Sequence, residues 1–263
     1  IIHFAAYAYV GESVKDPGKY YQNNVVGSIN LLESIRDFGI EKIIFSSSCA
    51  SYGIPDSVPI EESHLQNPVN PYGASKFMTE RILKDFSDAY GIKSISLRYF
   101  NASGADPEME VGECHEPETH LIPLILDVAL GKRKKISVYG DNYDTTDGTC
   151  VRDYVHVTDI ADAHILALKA LENGAPTSVY NLGNGAGYSV KEVIKVAREV
   201  TGHPIPVEIK NRRQGDVGVL IGSSKKIEKE LGWRPKLGNL HRIIETAWQW
   251  HKAYQTKLVS KKL

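Results

Sequence analysis

Short apolar runs alternate with longer stretches of helical periodicity along most of this chain, and few folds accommodate that alternation. Lys42 to Ser46 (KIIFS) is a continuous run of the kind found in strands buried on both faces. Ile1 to Ala5, Ser94 to Phe100, Ile136 to Tyr139 and Val179 to Leu182 read as further strands. Between them, Tyr20 to Phe38 carries Val25, Ile29, Leu31, Leu32 and Ile35 at helical spacing and stops at Gly39. Pro71 opens another helix that runs to about Tyr90 and halts at Gly91; proline suits a first helical position because its missing N–H is not needed there. Leu121 to Leu130 and Ile160 to Leu171 are helical as well. The pattern predicts an α/β fold, a doubly wound parallel sheet with helices on both faces. Ligands in such sheets bind beyond the carboxyl ends of the strands, so the loops after Phe4, Ser46 and Phe100 are expected to face one crevice.

After residue 100 the loops lengthen and carry Pro, Gly and Asp (102–120 and 140–150). Long loops in a compact domain are usually functional. Residues 1–101 therefore read as one domain, and 102–263 mainly as a smaller α/β lobe, with about 150–182 returning to the first. The 263 residues are 42% hydrophobic and 24% charged, enough to bury a sizeable core. A net charge of -1 gives no basic field, so neither nucleic acid nor an anionic membrane is an expected partner, and no apolar run is long enough to span a bilayer. Cys49, Cys114 and Cys150 are widely spaced, which fits a reducing, cytoplasmic setting better than a disulfide framework.

Tyr72-Gly-Ala-Ser-Lys76 puts a phenol and an ammonium one turn apart on a helix, where they can share a site. A nearby cation lowers a tyrosine's pKa from its usual value of about 10, giving a base usable near neutrality. Taken alone, a surface Tyr–Lys pair is the better reading. The neighbourhood shifts it: Ser46-Ser47-Ser48 places hydroxyls at the carboxyl end of a buried strand, where a ligand is expected, although such hydroxyls also make turns and caps.

A strand-end Ser followed by helical Tyr-x-x-x-Lys resembles the short-chain dehydrogenase/reductase superfamily. Further segments appear in order: His3-Phe4-Ala5-Ala6, Val10-Gly11-Glu12-Ser13, Tyr21-Gln22-Asn23-Asn24-Val25, Arg98-Tyr99-Phe100-Asn101, Gly148 to Val157, Tyr180-Asn181-Leu182-Gly183 and Arg212-Arg213-Gln214-Gly215-Asp216. Together they resemble the extended branch of that superfamily and, within it, the UDP-glucose 4-epimerase family, from residue 1 to about His251. The resemblance implies a Rossmann-like sheet binding NAD, a UDP-sugar substrate and a homodimer. Ser48 would orient the substrate hydroxyl, Tyr72 act as acid and base, and Lys76 hold the nicotinamide ribose and lower the Tyr72 pKa. Phe4, Ala5, Ala6, Tyr7, Ala8, Asn23 and Phe100 would join those three against the cofactor. Asn101, His120, Leu121, Tyr139, Arg152, Tyr154, Arg213, Asp216 and Leu220 would line the UDP-sugar. The chemistry is compatible: arginine forks suit pyrophosphate oxygens, Asp216 can accept ribose hydroxyls, and Tyr139 offers a flat face to uracil. A local ion pair for Arg152-Asp153 and a core role for Tyr139 are the simpler readings without the resemblance.

Some positions depart from the family pattern. Ala6, Tyr7 and Ala8 stand where Gly, Leu and Lys are frequent, His120 where Asn is frequent, and Leu220 where Tyr or a smaller residue lines the pocket. Leu220 leaves more room than Tyr, so an N-acetylated sugar is an alternative substrate, as is a UDP-pentose. Cys49-Ala50-Ser51 lacks the carboxylate that a dehydratase needs after the Ser position. A non-catalytic nucleotide-sugar binding module is the reading from a different class. Cys114, His115, Glu116, Glu118 and His120 fit no zinc spacing and read as an ordinary loop. Gly183 to Gly187 fails the dinucleotide pattern because Tyr188 occupies its last position; it reads as a turn into a helix capped by Ser189 and Glu192. The resemblance implies a preceding strand, Gly-rich turn and helix, with roughly 60 to 80 residues in two such units. On that expectation the chain as it stands holds NAD weakly and turns over slowly; purification with a full equivalent of bound NAD would contradict it.

Overall fold

The computed structural model describes residues 1–213 and 216–260, the last six by backbone alone. Gln214 and Gly215, quoted above, lie outside the described residues. The strands in chain order are β1 (Ile2–His3), β2 (Lys42–Ser48), β3 (Lys93–Tyr99), β4 (Asn101–Ser103), β5 (Ile136–Tyr139), β6 (Val151–Arg152), β7 (Tyr154–His156), β8 (Ser178–Leu182), β9 (Tyr188–Ser189), β10 (Val207–Lys210) and β11 (Val219–Leu220). The α-helices are α1 (Val10–Lys15), α2 (Pro17–Tyr20), α3 (Gly27–Asp37), α4 (Pro71–Tyr90), α5 (Leu121–Ala129), α6 (Val157–Glu172), α7 (Val190–Thr201), α8 (Lys225–Leu231) and α9 (Leu240–Ser260).

The chain divides into two compact units: 1–100 with 161–185 and 222–234, and 101–160 with 186–221 and 235–263. The sequence reading returns about 150–182 to the first unit; the structure starts that return at Ala161 and adds a second at 222–234. That second segment carries α8, which packs on β8, and periodicity does not reveal which sheet a short helix covers.

In the first unit the sheet order is β1-β2-β3-β8, every pairing parallel. The register sets His3 beside Phe45, Ser48 beside Tyr99 and Tyr99 beside Leu182, so the three wider strands finish level. This is the α/β parallel-sheet class that the alternation predicts. Leu32 and Ile35 of α3, Leu83 of α4, and Ile43 and Phe45 of β2 form one buried cluster with Ile92. Helix α4 has clear end signals. The Asn70 side chain accepts from Gly73 N at 2.9 Å, Pro71 fills the first turn, and Gly91 takes a left-handed φ of 75° that closes the last one.

The helix expected over Tyr20–Phe38 is not continuous. Tyr21–Val26 forms a π-helical turn between α2 and α3. Asn24 is the reason: its side chain accepts from Tyr7 N at 2.9 Å and donates to Tyr7 O and Ser75 Oγ at 3.0 Å. Its carbonyl is taken by the hydroxyls of Ser28 at 2.6 Å and Thr79 at 3.4 Å. Side chains thus supply partners that a regular ladder would have provided, a common arrangement where a helix widens.

In the second unit, β10 pairs with β5, β4 with β7, and β6 lies between β11 and β9. Ile125, Leu126, Val138, Val193, Ile194, Ile243 and Ile244 lie in its apolar core, with α5, α7 and α9 packed together. The Ser189–Glu192 capping box forms as the sequence predicts, and Gly202 ends α7. Among the described residues no helix is long and apolar enough to cross a membrane. Leu83 is fully buried between α4 and the sheet cluster, so Leu83→Ala is expected to cost about 2–5 kcal/mol, read as a lowered midpoint in chemical denaturation.

Candidate active site

Ser48 ends β2 in extended conformation, and its Oγ accepts from Ala50 N at 3.2 Å as the chain turns through Cys49–Ser51. The first turn of α4 presses onto that turn. A Cβ on Gly73 would lie 2.3 Å from the Ala50 carbonyl oxygen, so only glycine allows the approach. The contact brings Tyr72, the neighbour of Gly73, close to Ser48, whose hydroxyl works to lower the Tyr72 pKa. Lys76 lies one turn further on and is 3% exposed. Its Nζ donates to Ser46 O at 2.7 Å and sits 4.8 Å from the Phe45 ring centre and 5.9 Å from that of Tyr72. The structure therefore gathers Ser48, Tyr72 and Lys76 at the carboxyl end of β2.

The electrostatics correct one expectation. The sequence reading has Lys76 lowering the Tyr72 pKa; instead desolvation pushes Tyr72 up to about 12, against the opposing pull of the Ser48 hydrogen bond. The ammonium is directed to the Ser46 carbonyl rather than to the phenol. Burial also pushes Lys76 down to about 8, with the Glu80 charge opposing it.

Glu80, one turn beyond Lys76, is a residue the sequence reading missed. Its carboxylate accepts from Arg98 Nη2 at 2.6 Å, Arg98 Nε at 3.0 Å, Ser47 Oγ at 2.5 Å and Gln66 Nε2 at 3.1 Å. Arg98 Nη1 donates to Tyr52 Oη at 2.6 Å, and that hydroxyl donates to Asn181 Oδ1 at 2.8 Å. The Glu80 and Arg98 side chains are 9% and 4% exposed. The signal was available: Tyr72, Lys76 and Glu80 recur every four residues, so all three fall along one face of α4.

The segment after β1 is held by the Asn24 clamp on Tyr7. Phe4 is 59% exposed, with its ring centre 4.8 Å from that of His164, whose Nε2 lies 2.6 Å from Tyr99 Oη. Ala5, Tyr7, Ala8 and Asn23 are exposed and Ala6 half-buried. Phe100 is buried, with its ring against Gly222.

In the second unit the candidate substrate residues fall into groups. The Arg213 guanidinium lies 4.5 Å from the Tyr139 ring centre and pairs with Asp216 at 3.1 Å. Arg152 and Leu220 are register partners between β6 and β11, and Arg152 Nη1 donates to Val151 O at 2.9 Å. Asn101 pairs with Tyr154 between β4 and β7. Tyr154 is 3% exposed and lies within the apolar core. His120 precedes Leu121 at the start of α5. Its Nδ1 lies 2.5 Å from Glu113 and 3.2 Å from Glu118, and these carboxylates raise its pKa to about 10.

Residues 1–183 match the model of the NAD dependent epimerase/dehydratase family. The UDP-glucose 4-epimerase of Streptococcus mutans is 53% identical over 254 residues, covering 97% of this chain and 76% of that protein. The one from Rhizobium meliloti is 50% identical over 251 residues, covering 95% and 76%. The chain belongs to the UDP-glucose 4-epimerase family. Solved structures agree. The Brucella ovis UDP-glucose 4-epimerase in complex with NAD superposes with a TM-score of 0.92 at 48% identity, over 94% of this chain and 76% of that one. The Bifidobacterium longum enzyme in complex with NAD+ and UDP gives 0.91 at 42%, over 97% and 76%.

For a member of this family the donor set of the first unit fits NAD. An exposed aromatic (Phe4), a buried ammonium (Lys76) and a clamped backbone segment (Phe4 to Ala8) stand at or beside the carboxyl ends of parallel strands, where dinucleotides bind. The Lys76 ionisation has a measurable consequence. Its folded pKa of about 8 lies below the ordinary 10.5, so between those values the unfolded chain holds more protons and stability rises with pH. Tyr72, raised from 10.0 to about 12, contributes stability that declines only above pH 10. From pH 8 to 10, wild type is therefore expected to gain about 1 kcal/mol per pH unit over Lys76→Met; parallel denaturation curves would contradict this.

Proposed function

We propose that this chain interconverts UDP-glucose and UDP-galactose, inverting C4 through a transient 4-keto sugar, as a step of galactose metabolism. The observation that carries the reading is the convergence of Ser48, Tyr72 and Lys76 at the end of β2, in a chain about half identical to enzymes of that name. The difficulty in this reaction is a C–H bond that is not acidic; oxidising the attached hydroxyl removes it. Bound NAD supplies the hydride acceptor and donor and, at its nicotinamide, a further positive charge.

The chain's own residues handle the proton and the grip. Tyr72 takes the 4-OH proton and returns it from its Oη, with positive charge nearby lowering the phenol from its buried value. Ser48, beside Tyr72 at the end of β2, orients the same sugar oxygen. Lys76 holds the nicotinamide ribose, and Phe4 to Ala8 with Asn23 line the cofactor. Arg152 and Arg213 bind the pyrophosphate, Tyr139 faces uracil and Asp216 accepts ribose hydroxyls. Asn101, Leu121, Leu220 and the Nε2 edge of His120 complete the sugar-nucleotide contacts. The turn-over of the keto sugar calls for firm hold on UDP and loose hold on the hexose. The pentose, N-acetylhexosamine and non-catalytic readings are not favoured beside relatives that share the hexose name. A cytoplasmic setting and a homodimer belong to the same proposal; light scattering checks the latter.

Tyr72→Phe tests the reading. With NAD supplied, it is expected to lower conversion of UDP-galactose to UDP-glucose by about 10²–10⁴, while calorimetry finds UDP-glucose binding unchanged. Equal turnover by the variant would remove Tyr72 from the chemistry.

A further inference from the structure

The loop before α5 fits none of the usual zinc spacings, yet folding gathers four of its side chains. One ligand atom from each of Glu113, His115, Glu118 and His120 lies within 4.8 Å of all the others. Glu113 Oε1 is 2.9 Å from His115 Nδ1 and 2.5 Å from His120 Nδ1. Glu118 Oε1 lies 3.2 Å from His120 Nδ1, and its Oε2 lies 3.8 Å from His115 Nδ1. Both imidazoles thus present the same nitrogen to the same two carboxylates.

We propose that these four residues form a binding site for a divalent zinc-class cation. A tetrahedron with metal–ligand bonds of about 2.05 Å has edges of roughly 3.3 Å. With Glu118 Oε1 held by backbone N–H groups, Glu118 Oε2 is the oxygen left for a metal, and the separations that it and Glu113 Oε1 make to the imidazoles, 2.5, 2.9 and 3.8 Å, bracket that value. The donor set chooses the ion class: two imidazoles suit zinc and its borderline neighbours, whereas magnesium and calcium take oxygen shells. Charge also balances, because two carboxylates neutralise a dication bound by neutral imidazoles. Four protein ligands fill the shell, which makes the site structural rather than catalytic.

The loop backbone is already anchored. Trp250 Nε1 donates to Glu113 O at 3.0 Å, and its ring lies against Gly112. Glu118 Oε1 accepts from Thr119 N at 2.6 Å and His120 N at 2.8 Å. The carboxylates are the less exposed half of the set and form its floor. Cys114, within the same loop, bonds to Tyr254 Oη at 3.1 Å and is not a ligand.

The test uses the whole chain and Zn²⁺ alone, without nucleotide, so its outcome is independent of the epimerase reading. Calorimetry is expected to show one Zn²⁺ per chain, and Zn²⁺ is expected to raise the Tm. X-ray absorption of the loaded protein is expected to give nitrogen and oxygen neighbours at about 2.0–2.2 Å; this needs no variant. His115→Ala with Glu118→Gln is expected to weaken binding by at least about 100-fold, and Cys114→Ser to leave it unchanged. The proposal is overturned by no saturable 1:1 binding, by sulfur in the metal shell, or by full affinity in the His115→Ala/Glu118→Gln variant.

Discussion

A carboxylate and a guanidinium withdrawn from water together hold the end of the first unit where Ser48, Tyr72 and Lys76 meet. Each ion costs several kcal/mol to desolvate, and the Glu80–Arg98 pair recovers that cost only because Ser47, Gln66 and Tyr52 occupy further donor and acceptor positions. The pair joins α4 to β2 and β3, and Tyr52 extends it to Asn181 on β8. Those elements carry Ser48, Tyr72 and Lys76. The same carboxylate opposes the fall in the Lys76 pKa, so one buried group both locates the helix and maintains the charge on its reactive face.

The sheet was legible because a strand buried on both faces has little freedom in composition: the runs around Lys42, Ser94 and Val179 all became parallel strands. Helix α4 could be read to the residue from Pro71 and Gly91. The π-helical turn could not, since apolar spacing does not record that Asn24 ties itself to Tyr7 and Ser75. The return of 222–234 to the first unit was hidden for a similar reason, because the partner of a short amphipathic helix is set by tertiary packing.

The site divides along the same line. Ser48, Tyr72 and Lys76 were readable because a strand end and a four-residue helical step are local features. The direction of the Tyr72 pKa was not, because it depends on how completely the folded protein surrounds the phenol. The burial of Tyr154 and Phe100 was not readable either: both sit in segments that match the family, Tyr154 in an apolar core and Phe100 against Gly222. A matching segment locates a strand; which of its faces meets a ligand is settled by the pleat and its neighbours. The loop from Glu113 to His120 adds a third case, in which the turn brings together side chains whose linear spacing follows no regular element.

The backbone contact at Gly73 has a wider meaning. The interval between Ser48 and Tyr72 is set where a helix without a side chain rests on a carbonyl, so it is defined by main-chain atoms that all residues share. The spacing of Ser48 and Tyr72 is therefore most vulnerable at Gly73, where a single methyl group would push the helix off that carbonyl.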